Sequence, residues 1–397
     1  MKWPMVKLGD LIIQDVGGIS LKRDQFTDSG TIVVPKKAIS SDVNIDHSNL
    51  VYTSKKTAIS YENYKADNSF LITTLRDLVP TGPNLGRICE INVSEPFLLA
   101  QGVYAFKLND LVCPKFITYY SNSIEFRKQL LRSKVGSTQV HIRSGDFKAA
   151  KIPLPPLNEQ KRIAAILDKA DSIRRKRQQA IKLADEFLRS VFLDMFGDLV
   201  STEGYASSQK YKIKDLVDYI DYRGKTPEKS VSGIPLITAK NVKKGYVDEE
   251  PREFIPVDTY DAWMTRGLPL ENDLLFTTEA PLGNVALLGK YDKVVIGQRL
   301  IALRSKGKVT HEFLMYLLLH PFIEGLILHR SSGSTVKGIR TKELYEIELP
   351  VPDIALQERF SSLYWQLKKL RGKEQRSLLE CSESFNALSQ KAFAGEL

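Results

Sequence analysis

The feature that most constrains this chain is an internal repeat. From about residue 111 onward, the two halves of the 397-residue sequence align without a gap at one displacement of 197 positions. The residues that recur are turn formers, prolines and polar side chains, as in Gly136/Gly333, Ser137/Ser334, Thr138/Thr335, Ile142/Ile339, Arg143/Arg340, Pro153/Pro350, Pro155/Pro352, Gln160/Gln357 and Arg162/Arg359. Because solenoids stack many short repeats, two long copies indicate duplication of a whole domain with its connector.

Upstream of residue 111 the match continues in separate blocks. Residues 71–74 resemble 275–278, with small length changes on either side. Such insertions are typical of surface loops. The chain is predicted to divide into four segments, which are a globular domain over 1–151, a helical spacer over 152–200, a second globular domain over 201–348 and a second helical spacer over 349–397.

Each half ends in a predicted long helix. The proline-rich bend at 152–156 cannot lie inside a helix, but residues 158–196 contain no proline or glycine. At 1.5 Å per residue, this stretch predicts a rod of roughly 58 Å. The second copy contains Gly372, which weakens that helix by about 1 kcal/mol relative to alanine.

Both helices carry apolar residues in alternating steps of four and three, which is typical of coiled coils. The predicted seam consists of Ile163, Leu167, Ile181, Leu188 and Val191 in the first helix and Phe360, Tyr364, Leu367, Leu378, Phe385 and Leu388 in the second. We predict that the helices pair as an antiparallel coiled coil, with the duplicated units related by a pseudo-twofold axis. The alternative is two ordinary helices, each packed on its own domain. The basic run at 174–177 is interpreted as a solvated face or partner surface in preference to a DNA clamp.

The globular parts, 5–150 and 208–347, contain short β-type runs separated by Asn, Asp, Gly and Pro. One helix is predicted in each, over 115–133 and 311–330. Strands outnumber helices and do not alternate with them. The expected fold class is therefore α+β, with a mixed, curved or barrel-like β-sheet in each globular domain and the two long helices between and after them.

Composition limits the class of partner. Lysine and arginine outnumber aspartate and glutamate, 57 against 47, which gives a net charge of +10. That surplus favours a polyanionic partner such as nucleic acid without requiring one. The three cysteines show neither a disulfide framework nor a zinc spacing. Neither a signal peptide nor an apolar stretch long enough to span a bilayer occurs, so a soluble cytoplasmic protein without a membrane partner is expected.

The recurring segment that follows each predicted short helix is the first candidate for contact with nucleic acid. Hydroxyl and amide groups can donate to phosphates or base edges, and arginine can form two hydrogen bonds with guanine. The candidates are Lys134, Ser137, Thr138, Gln139, His141 and Arg143 in the first half and Ser334, Thr335, Lys337 and Arg340 in the second. A helix C-cap followed by a strand is an equally favoured interpretation. It explains the glycines well and the repeated arginine poorly.

Further candidates lie where the two halves differ. If the function is sequence reading, divergent loops on a shared scaffold are where two different half-sites would be encoded. These candidates are Arg76 and Arg87 in the first half and Arg223, Lys225, Lys240, Asn241 and Lys243 in the second. Taken singly, each residue is more typical of a solvated surface than of a base contact.

The sequence contains no complete catalytic or metal-binding motif. Residues 224–226 end like a phosphate-binding P-loop, but Tyr219 occupies the position of its first glycine. The five histidines form neither a His-Glu-x-x-His motif nor a His/Cys cluster. The Asp/Asn-Pro-Pro-aromatic motif of amino-methyltransferases is also absent. We therefore expect no catalytic residue, no metal site and no cofactor in this chain.

Three segments resemble the DNA-specificity subunits of type I restriction-modification systems. They are residues 221–227, residues 233–242 and, most strongly, residues 152–163, where the proline bend runs into the long helix. The resemblance covers the whole chain. It implies two target-recognition domains, each binding one half of a bipartite, asymmetric site in double-stranded DNA. It also implies that the helical spacers set the distance between the half-sites and dock two methyltransferase subunits.

The same resemblance implies that the chemistry lies on partner subunits. S-adenosylmethionine would bind to the methyltransferase subunits, which modify adenine N6, and ATP and Mg²⁺ to as many as two restriction subunits. The host would be a bacterium or an archaeon. Residues 355–359 lack the Asn-Glu-Gln start of the first copy, which predicts unequal docking at the two spacers. Two alternatives remain, a stand-alone DNA-modifying enzyme and a coiled-coil scaffold that binds only proteins.

Overall fold

A computed structural model describes residues 3–40, 42–224 and 226–397. The chain forms two compact units. The first unit comprises Met1–Gln178 and Arg376–Leu397, and the second comprises Gln179–Gln375. Each long helix therefore contributes one part to each unit. The four-segment division stays a prediction, since these units divide within the helices.

The first unit contains a central four-stranded antiparallel sheet. Its strands, in spatial order, are Ile12–Gly17, Val103–Leu108, Leu71–Thr74 and Ile88–Cys89. A second sheet has the order Phe26–Thr27, Val51–Thr53, Thr31–Val34 and Leu98–Leu99, and its last pair is parallel. Two short antiparallel ladders pair Met5–Lys7 with Lys151–Pro153 and Arg76–Asp77 with Val140–His141.

The second unit repeats this architecture. Its central sheet has the order Val217–Asp221, Leu300–Ser305, Leu274–Thr277 and Val285–Leu287. A three-stranded sheet follows, with the order Phe254–Ile255, Ile234–Ile237 and Val295–Ile296 and again one parallel pair. Lys210–Lys212 pairs with Glu348–Pro350. The mixed sheets and the duplicated order confirm the predicted α+β class.

One detail of the sequence alignment is wrong. Val103 faces Thr74 and Leu300 faces Thr277, so the strand Leu71–Thr74 corresponds to Leu274–Thr277. The sequence match to 275–278 was displaced by one residue. Because side chains alternate across a sheet, a slip of one residue would turn every side chain of the strand to the other face.

A second prediction is wrong. The single helices predicted over 115–133 and 311–330 are each divided into two helices. In the second unit they are His311–Leu318 and Pro321–His329, where His320 caps the second helix by accepting from the N–H of Phe322. Their counterparts in the first unit are Pro114–Tyr120 and Ile124–Arg132. The other short α-helices are Lys55–Ile59, Ser144–Ala149, Thr202–Ser207, Ile213–Leu216, Tyr260–Trp263 and Thr341–Tyr345. The 3-10 turns are Leu8–Leu11, Arg23–Gln25, Lys36–Ala38, His47–Asn49, Glu62–Tyr64, Gly197–Val200 and Val257–Thr259.

The long helices, Leu157–Phe196 and Ile354–Ala394, run antiparallel. In the first unit, the start of one helix shares a core with the end of the other, as shown by buried Ile163 and Ala392. In the second unit, Phe192 packs against Phe360 with ring centroids 5.5 Å apart. All the predicted seam residues are buried or half-buried. The antiparallel pairing is confirmed.

The alternative, in which each long helix packs on its own domain, is also partly correct. The helix ends belong to the cores of the globular parts. Phe313, from the short helix His311–Leu318, contacts Phe196 with ring centroids 4.8 Å apart. In the first unit, Phe393 meets Tyr120 at 5.1 Å. The central sheet of each unit is thus attached to the helices through an aromatic core.

Within 3–40, 42–224 and 226–397, no single helix is long and apolar enough to cross a bilayer. The consecutive helices His311–Leu318 and Pro321–His329 reach that length and hydropathy only when they are counted together across a bend of 70°.

Candidate nucleic-acid interface

The recurring loop has the same backbone conformation in both units. An antiparallel bridge between Val135 and His141 closes the first loop, and a bridge between Ser332 and Gly338 closes the second. The φ angle is +105° at Gly136 and +104° at Gly333. Only glycine adopts this conformation readily. The two glycines are therefore conformational requirements of the loop, as expected for a helix C-cap followed by a strand.

A close backbone approach gives a second reason for glycine at these positions. A Cβ at Gly136 would lie 2.2 Å from the carbonyl oxygen of Gln139, and one at Gly333 would lie 2.1 Å from that of Val336. The loop tips themselves are open to solvent. The exposed side chains there are Ser137, Thr138, Gln139, Ser334, Thr335 and Lys337. The loop therefore presents polar groups on a fixed backbone.

The repeated arginines lie at the end of this loop. Arg143 and Arg340 are both exposed, and each immediately precedes a short helix without capping it through its side chain. Within the described part of the chain, neither guanidinium has a carboxylate within 4 Å. A helix C-cap followed by a strand does not account for these exposed cations, whereas a contact with a phosphate or a base would.

In each unit the loop is joined to the segment that follows a central strand. His141 pairs with Arg76 in the first unit, and Gly338 pairs with Glu279 in the second. The N–H of Ile142 donates to the carbonyl of Leu75 at 3.0 Å. This pairing brings Arg76 to the recurring loop and gives a surface of two chain segments.

Lys36 adds a second cation beside Arg76. A Cβ on Gly102 would lie 3.1 Å from the Cβ of Arg76 and 3.3 Å from the Cδ of Lys36. Burial, and then the positive charge of Arg76, lowers the pKa of Lys36. Neither cation has a carboxylate within 4 Å in the described ranges. Clustered cations of this kind favour a phosphate, and sequence reasoning missed Lys36.

Several predicted site residues are instead held by neighbours within the protein. Arg87 donates to the carbonyl of Pro83 at 2.7 Å and to the side chain of Asn122. Lys134 donates to the carbonyl of Pro80 at 2.6 Å. These hydrogen bonds connect neighbouring loops and engage the cationic groups of both side chains within the protein.

In the second unit, Arg223 forms a two-pronged ion pair with Asp221 that includes a bond of 2.5 Å. Lys243 donates to the carbonyl of Lys240 at 2.7 Å, while Lys240 itself is exposed. Lys225 lies outside the described residues.

Asn241 is the clearest correction among the candidates. It is 2% exposed, and its amide oxygen accepts from the backbone N–H of Thr238 at 3.0 Å. Its amide nitrogen donates to the carbonyls of Asp248 and Pro251 at 3.0 and 3.1 Å. These bonds hold a turn, and they leave the side chain unable to reach DNA.

The basic run in the central helix is used within the first unit. Arg174 lies 2.7 Å from Asp171 and 3.0 Å from Asp42, and Arg175 lies 3.0 Å from Asp171. Asp171 is 2% exposed. These ion pairs tie the helix to the globular part of the first unit and leave Arg174 and Arg175 half-buried, which differs from the solvated face that the sequence predicts.

The described residues contain no group of three or more His, Cys, Asp or Glu side chains that could hold a metal ion. Burial raises the pKa of the Cys89 thiol to about 12. The thiol therefore stays protonated at neutral pH and is a poor nucleophile.

This geometry defines a protein with two equivalent units, each with a recurring exposed loop paired to the segment that follows a strand of its central antiparallel sheet. A family model described as the type I restriction modification DNA specificity domain matches residues 1–183 and 206–369. The chain therefore belongs to the type I restriction-modification DNA-specificity family and carries two copies of its domain.

Curated relatives agree with this family, and a solved structure shares the fold. The chain is 23% identical over 340 residues to the type I restriction enzyme MjaVIII specificity subunit of Methanocaldococcus jannaschii, covering 78% of this chain and 77% of that protein. It is 21% identical over 326 residues to the EcoKI specificity subunit of Escherichia coli, covering 76% and 70%. The crystal structure of the S subunit from M. genitalium matches with a TM-score of 0.58 and 16% identity over 99% of this chain and 96% of that one.

Proposed function

We propose that this chain is the DNA-reading subunit of a type I restriction-modification complex and that each unit binds one half of a bipartite, asymmetric site. The observation that carries this proposal is the recurrence in both units of one exposed loop whose backbone conformation requires a glycine. The loops share a backbone but present different side chains, Gln139 and His141 against Val336 and Gly338. A common scaffold with divergent tips suits the reading of two different half-sites.

We further propose that the helix pair sets the spacing of the half-sites and docks two methyltransferase subunits. Exposed apolar side chains on the helices, such as Leu183, Phe187 and Leu379, support docking of a protein partner. S-adenosylmethionine, ATP and Mg²⁺ would bind to the partner subunits, including as many as two restriction subunits. The complex would act in the cytoplasm of a bacterium or archaeon.

A domain exchange tests the proposed function. Residues 208–347 are replaced by the corresponding segment of another specificity subunit, and N6-methyladenine is mapped across a host genome that also expresses the methyltransferase subunit. We expect one half of the methylated motif to change and the other to persist. The matched control exchanges residues 5–150 and should change the opposite half. An unaltered motif after both exchanges would contradict the proposal.

A second experiment separates the proposal from a stand-alone enzyme. The purified chain is incubated with DNA and Mg²⁺ or with DNA and S-adenosylmethionine. We expect neither cleavage nor methylation until the methyltransferase subunit is added. Turnover by the chain alone would show that it carries its own catalytic site.

A further inference from the structure

We propose that Gln101 and Gln298 are matched base readers, each of which recognises an adenine in its own half-site through paired hydrogen bonds. This inference rests on the proposed function and names the residues that carry its specificity. Both glutamines lie outside the recurring loop.

The two glutamines occupy one position in the duplicated fold. The strands Val103–Leu108 and Leu300–Ser305 lie 197 residues apart, and each glutamine stands two residues before its strand. The preceding strands, Leu98–Leu99 and Val295–Ile296, each form the parallel pair of the second sheet. The displacement of 197 therefore extends upstream to residue 98.

A comparison with another recurring pair shows that the exposure of these glutamines is unusual. Gln160 and Gln357 are fully buried, and their amides bond to backbone groups. Gln101 and Gln298 are exposed instead. Among the described residues Gln101 has no hydrogen-bond partner, and the Gln298 side chain has one, the Thr226 hydroxyl at 3.1 Å. A structural role explains the first pair but not the second.

The backbone links each glutamine turn to the recurring loop through a single residue. In the first unit, Leu75 donates its N–H to the carbonyl of Gly102 at 2.9 Å and accepts from the N–H of Ile142 at 3.0 Å. In the second unit, Thr278 donates to Arg299 at 3.0 Å and accepts from Ile339 at 2.9 Å. The glutamine turn and the loop are therefore connected by backbone hydrogen bonds, which fix the position of the glutamine relative to the loop, as base readout requires.

Cations flank both glutamines. Lys36 and Arg76 lie against Gly102, the residue after Gln101. Gln298 lines a cavity of about 210 Å³ together with Lys240 and Arg299, and Arg299 is paired with Glu279 at 3.1 Å. Phosphate contacts from such cations fix the register of a duplex, and a neighbouring side chain then reads a base edge.

Glutamine chemistry selects adenine. The side-chain amide supplies one acceptor and a donor group side by side, which complement the N6 donor and N7 acceptor of adenine in the major groove. Loss of such a bidentate contact weakens discrimination at that base about 5- to 150-fold.

Gln101→Ala and Gln298→Ala test the inference in the complex with the methyltransferase subunit. The readouts are the methylated motif and binding to duplexes carrying each base at every position of the motif. We expect each variant to lose preference for adenine at one position of one half-site, in opposite halves. Gln298→Glu should shift that preference toward cytosine, because a carboxylate accepts from cytosine N4. The exposed Gln14→Ala in the central sheet is the control and should leave the motif intact.

The outcomes distinguish this inference from the proposed function. If wild type reads a bipartite motif and both alanine variants retain it, the glutamines do not read bases and the proposed function stands. A uniform loss of affinity for all sequences would assign them to phosphate contacts and overturn the inference. If wild type shows no bipartite motif, both proposals fail. Unchanged thermal unfolding of the variants verifies that they fold.

Discussion

At the residue scale, two buried glutamines join the globular domains to the helices. The Gln160 amide nitrogen donates to the carbonyls of Leu111 and Pro155, and its oxygen accepts from the N–H of Cys113 at 2.8 Å. Gln357 makes the equivalent bonds in the second unit. This explains why glutamine recurs after each proline bend, which the sequence alone showed only as a repeat.

Replacement of this glutamine should destabilise the first unit. Gln160→Ala leaves a buried N–H and two carbonyls without their partner, so we expect the free energy of unfolding to fall by about 2 to 3 kcal/mol. Urea denaturation measures this. The exposed Gln14→Ala is the control and should change stability by less than about 0.5 kcal/mol. Equal stabilities of the two variants would show that the buried bonds are unimportant.

A half-buried histidine should make the second unit sensitive to acid. His311 accepts from the N–H of Ser305 at 2.9 Å through Nε2, and it opens the helix His311–Leu318. Burial lowers its pKa, against the opposing effect of Glu312 and Asp273. Its neutral form is therefore favoured by folding. The stabilisation is fully present above the unfolded pKa of about 6.5 and is lost as the pH falls through the lower folded value.

His311→Gln tests this pH dependence. The glutamine oxygen can accept from the Ser305 N–H at any pH, so the variant should lose less stability than wild type between about pH 7.5 and about pH 5.5. Urea denaturation at both pH values gives the difference. An identical pH dependence in the two proteins would exclude His311 as the titrating group.

At the scale of elements, an aromatic cluster anchors the C-terminal helix to the second unit. Phe360 is fully buried, and its ring lies 5.1 Å from Tyr316, 5.5 Å from Phe192 and 5.8 Å from Phe196. The cluster joins both long helices to the short helix His311–Leu318. The heptad pattern predicted the seam, but not this third partner, because periodicity shows only which face of a helix is apolar.

Removal of the Phe360 ring should be costly. We expect Phe360→Ala to lower the free energy of unfolding by about 3 to 5 kcal/mol, through lost burial and the cavity it leaves. Leu370→Ala, at a residue of the same helix that is 51% exposed, is the control and should be nearly neutral. Chemical denaturation compares the two. A small effect at Phe360 would mean that the helix is held elsewhere.

At the scale of the whole molecule, the charge balance should determine how DNA binding depends on salt. The net charge is +10, and exposed arginines recur in both loops. If 6 to 10 phosphates are contacted, affinity should fall by about 10³ to 10⁵ between about 50 and about 200 mM salt. Fluorescence anisotropy with the methyltransferase subunit present measures this slope. A neutral osmolyte at matched osmolality is the control, and a flat salt dependence would exclude phosphate contacts as the main source of affinity.

Much of the architecture could be predicted because it is encoded locally. The displacement of 197 residues shows the duplication, the prolines within 152–156 precede the first long helix, and steps of four and three mark the helix seam. The break before Pro321 was missed although the sequence marks it, because His320-Pro321 interrupts the apolar run and proline disfavours a helix interior. Its cap, His320, gives only a weak signal.

What the sequence determined by itself is the repeat, the long helices and the family resemblance, because each is a pattern of neighbouring residues. Tertiary structure decided which polar groups remain free to bind DNA. Lys134 is held by the carbonyl of Pro80 and Arg87 by the side chain of Asn122, both distant in sequence, whereas Arg143 and Arg340 stay exposed. A side chain binds DNA only if its hydrogen-bonding groups are not already satisfied within the fold, and these partners are set by the three-dimensional packing of the chain.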